Sequence, residues 1–261
     1  MNTKKCLGAA AAVALTLTFA VGAEAASGQA VGRAKAVEIA RVANAADEAV
    51  LARPLALAFA AGRLYIADAQ DCAIKVFSED GRFLRAFGRK GNGPGELSFP
   101  SGVSAAGDVV VVADKLNFRI QMFGGEGSVC GGFKLPFAPD RVFALGAERF
   151  LVTGNPTGRL AGERLLHIYD AAGRVIWEGL AARTSSEPML DTFRNMILAC
   201  PAEGGDFYVV FRSGERAISH FTSGGVLRET LSVDERLAFR SLDMSIGGSV
   251  IRLLGFCWAA A

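Results

Sequence analysis

The chain has 261 residues, of which 51% are hydrophobic and 21% charged. That is a globular composition, and it excludes a disordered chain. The formal net charge of +2 excludes a general attraction to nucleic acid or to an anionic membrane surface.

Residues 1–25 read as a secretory signal. Lys4 and Lys5 form a positive n-region, Leu7 to Val21 an apolar stretch, and Ala23-Glu24-Ala25 a small-residue cleavage site. The apolar stretch is shorter than the ~20 residues that span a bilayer. Cys6 precedes that stretch, whereas a lipid-bearing cysteine would follow it, so no lipid anchor is expected. The mature chain, residues 26–261, is expected to be periplasmic or secreted, with no membrane span after cleavage. KAVEIARV (35–42) follows as a short strand-like run.

Four short runs rich in β-branched and aromatic residues come next: LYIAD (64–68), VVVVAD (109–114), RFLVTG (149–154) and FYVVF (207–211). They are too short for helices and end in polar turns, so they predict strands. Each is followed by an aliphatic-x-x-aromatic-x-x-x-Gly segment. These are AIKVFSEDG (73–81), RIQMFGGEG (119–127), LLHIYDAAG (165–173) and AISHFTSGG (217–225). The aliphatic positions Ile74, Ile120, Leu166 and Ile218 lie 46, 46 and 52 residues apart. Further apolar runs follow at RFLRAF (82–87), RVIWEG (174–179) and VLRETL (226–231). No 3.6-residue pattern separates the strands, which argues against an alternating β/α fold.

Several short strands in a unit of this length predict an all-β propeller of four-stranded blades. Stacking blades face to face buries both surfaces of each sheet, which explains a run such as Val109–Val112 that does not alternate. The expected units are residues 53–96, 97–138, 139–186 and 187–232, with a partial one at 233–261.

The densest motif is AFGRKGNGPGELSFPSGV followed by VVVVADKLNFRIQMFGGEG. It resembles the NHL repeat in Gly91, Gly93, Pro94, Gly95, Glu96, Leu97, Pro100 and Gly102, then in Ala113, Asp114, Asn117, Arg119, Ile120, Phe123 and Gly127. The preceding unit matches at Ala67, Asp68, Ile74, Phe77 and Gly81, but has Asp71 at the Asn position and Ala73 at the Arg position. The resemblance is specific over 55–127 and reduces to strand pattern over 140–232. It implies a six-bladed propeller of the exported bacterial type. In such propellers an N-terminal strand completes the last blade, the role implied for 35–42. A fifth repeat would need its glycine beyond residue 261, so the last blade or blades are expected to be incomplete and the chain a C-terminally truncated form.

The glycine-rich loop is expected to turn the chain and not to bind phosphate. Pro94 removes a backbone N–H from its middle, no GK[ST] occurs, and a strand follows it where a phosphate loop opens a helix. Asp68 and Asp114 end strands. They read as turn carboxylates bonded to local backbone, or else as part of a cation-binding ring, with Gly154 and Arg212 at the corresponding places further on. His167 and His220 are the only histidines and read as structural. Arg53, Arg141, Arg159, Arg164 and Arg183 fall near blade junctions or loops. They are expected to be surface charge, the alternative being an anion-binding channel mouth. Cys72, Cys130, Cys200 and Cys257 permit three pairings, and free cysteines are equally compatible with the spacing.

No catalytic, cofactor or metal residue is assigned, and no cofactor is expected. The leading expectation is an exported binding or scaffold module for a protein, glycan or small-molecule ligand, with no nucleic acid as partner. A metal-dependent lactonase or lyase, or a non-functional remnant, are the alternatives.

Overall fold

The computed structural model describes residues 50–146, 148–154, 163–213, 217–232, 240–246 and 249–255. The segments 1–49 and 256–261, with Cys257, the signal and the 35–42 run, lie outside the described residues, as does Arg159.

Sixteen strands form four antiparallel sheets, each in sequence order. The first holds β1 (Pro54–Ala60), β2 (Arg63–Asp68), β3 (Ala73–Ser78) and β4 (Phe83–Phe87). The second holds β5 (Pro100–Ala106), β6 (Val109–Asp114), β7 (Arg119–Gly124) and β8 (Val129–Lys134). The third holds β9 (Pro139–Ala144), β10 (Arg149–Gly154), β11 (Arg164–Asp170) and β12 (Val175–Ala181). The fourth holds β13 (Ile197–Pro201), β14 (Phe207–Phe211), β15 (Ala217–Phe221) and β16 (Leu227–Ser232). A hairpin of β17 (Arg240–Ile246) and β18 (Ser249–Gly255) follows.

The first strands of successive sheets touch: β1 meets β5, and β5 meets β9. The sheets are therefore arranged radially with their first strands innermost, as in a propeller. In the first three sheets the second and third strands are largely buried, and VVVVAD of β6 is buried at five of its six positions. The fourth strands alternate or are exposed throughout. Burial on both faces of the middle strands removes the need for alternation.

The recurring glycine has two causes. In each sheet its N–H closes a turn on the residue three before it, as Gly81 does on Ser78, Gly127 on Gly124, Gly173 on Asp170 and Gly225 on Thr222. Each of these glycines has φ between +80° and +95°, the left-handed residue of a type I turn with a G1 bulge. In addition, an aromatic ring from the preceding sheet lies on it. Phe87 covers Gly127, Phe133 covers Gly173 and Trp177 covers Gly225. The same rings meet the repeat aromatics: Phe87–Phe123 at 5.1 Å, Phe133–Tyr169 at 5.2 Å and Trp177–Phe221 at 6.0 Å between centroids. One aromatic on each outer strand thus joins a sheet to the next.

A helix, α1 (Pro188–Arg194), stands between β12 and β13. The sequence shows no helical period between the strands, and this element is the exception. Its seven residues are too few to show a period, and Pro188 opens it at a position where a missing N–H costs nothing.

Candidate functional site

The glycine-rich loop is an ordered cage whose N–H groups are already taken. The Glu96 carboxylate accepts from the backbone N–H of Asn92 (3.1 Å) and Gly93 (2.9 Å), and from Arg89 Nε (3.1 Å). The Gly93 N–H and the Arg89 guanidinium hold the Glu96 carboxyl below the usual carboxylate range. The loop carbonyls turn toward β7. Arg119 donates to the carbonyls of Asn92 (2.8 Å), Gly93 (2.9 Å) and Glu96 (2.7 Å), and through Nε to Asp114 (2.7 Å). Asn117 bridges Asp114 and the Gly91 carbonyl, and Gln121 bonds the Glu96 carbonyl and the Gly95 N–H. An internal carboxylate thus sits where a phosphate would.

Asp68 and Asp114 are both fully buried. Asp68 accepts from the N–H groups of Ala52, Arg53, Gln70 and Asp71. The first sheet has Ala73 at the Arg119 position, but Lys75 supplies the cation two residues on, 3.4 Å from Asp68. Register corrects one position. Val210 pairs with Ile218 as Ala113 pairs with Ile120, so Phe211, and not Arg212, is the counterpart of Asp114.

The polar cage is absent from the third sheet. Gly154 stands at the Asp position, Leu165 at the Arg position and His167 at the Gln position. The Phe137 ring occupies the space a Gly154 side chain would need and stacks on His167 at 4.4 Å. His167 also contacts Glu178 and the Arg164 carbonyl, each at 3.1 Å. His220 lies between Asp206 and Glu229 and stacks on Tyr208 at 4.5 Å. In the fourth sheet, the Arg183 guanidinium lies 3.6 Å from the centroid of the Phe211 ring.

Where the carboxylates cease, a cavity of about 230 Å³ opens. It lies beside the axis between β9 and β13, which approach each other much less closely than β5 and β9 do. Lys115, from the 3-10 turn after β6, stands at one side with Asp140 and Arg141 of β9. Thr153 and Gly154 of β10 and Arg212 after β14 complete the polar lining. Phe143, Met196 and Ile197 supply apolar wall.

Among the described residues, three cations line this cavity against one carboxylate. Lys115 pairs with Asp140 at 3.0 Å. Arg141 donates to the carbonyls of Ser101 and Asp140, which hold it in place without neutralising it. Among the described residues no carboxylate pairs with Arg141 or Arg212.

The far wall is rigid. The buried Asn195 side chain accepts from the Arg183 N–H (2.7 Å) and donates to the Arg183 and Asp191 carbonyls (2.8 Å each). Asp191 in turn accepts from the Ser185 N–H and hydroxyl.

Of the junction and loop arginines singled out in the sequence, Arg141 is the one among the described residues that lines the cavity. Arg53 lies over Phe99 at 5.1 Å, and Arg164 begins β11 as an exposed residue. Arg212 is the residue that sequence reasoning placed in the wrong register. Cys72, Cys130 and Cys200 are free thiols, the first buried and the others exposed. Among the described residues, no three histidine, cysteine or acidic side chains are grouped to hold a metal ion, and no helix is long and apolar enough to cross a membrane.

Four-stranded sheets set radially around their first strands define the class: this is a β-propeller. Residues 44–151 match the family model described as DUF5128, 6-bladed beta-propeller, and the described residues show four complete blades. Among solved structures, the chain is similar to a protein of Bacteroides fragilis NCTC 9343 described as exported. That likeness has 17% identity and a TM-score of 0.55, over 70% of this chain and 52% of the other. It is also similar to hydrazine synthase of Kuenenia stuttgartiensis, with 9% identity and a TM-score of 0.50, over 71% of this chain and 50% of the other. The chain spans about half the length of these structures. At such identities the likeness concerns the fold alone. A comparison with curated proteins finds no match.

Proposed function

We propose that this chain is an exported propeller of the NHL type that works as a binding module, taking its ligand in the cavity between the third and fourth blades. The observation that carries the reading is the cavity itself. It lies beside the axis at the ends of inner strands, where propeller sites sit on loops held by a rigid scaffold. Its lining combines cationic and polar groups with apolar ones, and Asn195, held on Arg183, is part of that lining. Export is supported by the signal pattern of residues 1–25 and by the description of the Bacteroides fragilis structure.

The test has two parts. Expression of the full chain in a bacterium with a periplasm is expected to yield a product whose intact mass begins after Ala25. Ligands that raise its melting temperature are expected to slow hydrogen exchange at residues 139–143 and 195–199. Ligands that stabilise the protein while protecting only other blades would overturn the placement, and a product retaining residues 1–25 in the cytoplasm would overturn export.

A further inference from the structure

We propose that the cavity selects a small organic carboxylate, gripped by Arg141 and Arg212 with its apolar body against Phe143, Met196 and Ile197. The inference rests on the reading that this cavity is the ligand site, and it adds the chemical class.

Charge sets the first half of the choice. Lys115 and Asp140 cancel one another at 3.0 Å, so the surplus in the cavity belongs to the two guanidiniums. Arg141 reaches the carbonyls of Ser101 and Asp140, and these uncharged partners orient it while leaving its charge unmet. Arg212 has no hydrogen bond or ion pair through its side chain among the described residues. Its backbone N–H, by contrast, is fixed on the Met196 carbonyl at 2.8 Å. A guanidinium with an anchored backbone and an open fork is suited to a planar two-oxygen acceptor. In a recess walled by protein, such a pairing is stronger than on an open surface.

Shape sets the second half. About 230 Å³ is smaller than the roughly 300–1,000 Å³ of drug-sized ligand sites, so the occupant is small. A bare inorganic anion would leave the cavity-facing surfaces of Phe143, Met196 and Ile197 uncovered. A carboxylate on an aromatic or short aliphatic body satisfies both sides of the lining.

The experiment measures binding of benzoate, benzyl alcohol and inorganic phosphate by isothermal titration calorimetry. The proteins are the full mature chain, Arg212→Gln and Ala199→Trp. Arg212→Gln removes a side chain with no described partner, so the fold should persist, and circular dichroism checks that it does. Ala199 lines the cavity and packs on the core beside it; Trp there adds bulk without altering any charge, and circular dichroism checks that this variant too is folded. Benzoate is expected to bind, and to lose about 10-fold or more in affinity in Arg212→Gln, as for a charge-assisted hydrogen bond. It should bind undetectably to Ala199→Trp, and benzyl alcohol should bind far more weakly than benzoate throughout. Benzyl alcohol binding as well as benzoate, with Arg212→Gln indifferent and Ala199→Trp blocked, would overturn the carboxylate class while leaving the cavity as the ligand site. Phosphate binding tighter than benzoate would overturn the organic body. Benzoate binding unaffected by Ala199→Trp would overturn the site itself.

Discussion

Phe87, on the outer strand of the first blade, closes the space over Gly127 of the second. A Cβ on that glycine would stand 2.7 Å from the Phe87 Cβ, closer than real carbon atoms approach. The glycine also holds φ of +95°, so the position forbids a side chain twice, by backbone and by neighbour. Gly127→Ala is therefore expected to cost about 2–4 kcal/mol, summing left-handed strain and overpacking. Gly62 has φ of +69° with nothing within 4 Å of a Cβ. Gly62→Ala should lose only roughly 1 kcal/mol. Urea unfolding of the two variants separates the causes, and equal losses would mean that Phe87 does not press on Gly127.

Arg119 ties the loop between the first two blades to the second blade through three carbonyls and the fully buried Asp114. Arg119→Met leaves that carboxylate without its cation, an effect of about 3–5 kcal/mol. Asp114→Ala combined with Arg119→Leu imitates the third blade, where Gly154 and Leu165 hold these positions, and should recover part of the loss. A double-mutant cycle in denaturant measures the coupling. Additive losses would show that the pair acts as two separate groups.

Tyr169 lies against Phe133 at the joint between the second and third blades. Burial, with the Glu178 carboxylate nearby, pushes its phenol up to about 12. The folded state therefore keeps the proton after the unfolded chain has released it. Stability from this group is fully present below the ordinary phenol value near ~10 and is lost as pH rises from there through about 12. The melting temperature should fall across that window, and Tyr169→Phe should flatten the fall. An unchanged slope in the variant would assign the alkaline transition elsewhere.

Asn195 binds both backbone groups of Arg183, doing with an amide what a neighbouring strand would do. At 2% exposure it has no water to replace these partners. Asn195→Ala should cost about 1–3 kcal/mol and speed hydrogen exchange at residues 183–196 more than in the first two blades. Uniform acceleration over all four blades would mean that the loop is not an independent unit.

Much of this fold was legible in sequence because its repeat is physically overdetermined. The glycine of every unit closes a turn, in the last three it also lies under an aromatic ring, and in the first three units the aliphatic and aromatic positions before it are buried, so chemistry leaves little choice there. The strand β8, VCGGFK, was not legible. Its two glycines and exposed cysteine carry no β signal, and it forms because β7 offers it an edge. Helix α1 escaped for want of length. The site was harder still. Arg141 was visible only as one of several loop arginines, and Arg212 drew notice for a register it does not occupy. What makes them a pair is the meeting of β9, β10 and the chain after β14, which lie far apart in sequence. The one legible hint was subtractive: the Asp of the first two blades becomes Gly154 in the third, a cavity-lining position whose side-chain space Phe137 takes.

Successive blades lock through an outer-strand aromatic seated on the next blade's glycine, which couples the separate inter-blade cores into one cooperative unit. Trp177 on Gly225 reports the joint beside the cavity, and the chain has two tryptophans, so Trp258→Phe leaves Trp177 as the probe. Near-ultraviolet circular dichroism of Trp177 should be followed with the far-ultraviolet signal through one thermal melt. One sharp transition at the same temperature in both signals is predicted. Loss of the Trp177 signal well below the melting of the strands would contradict the account.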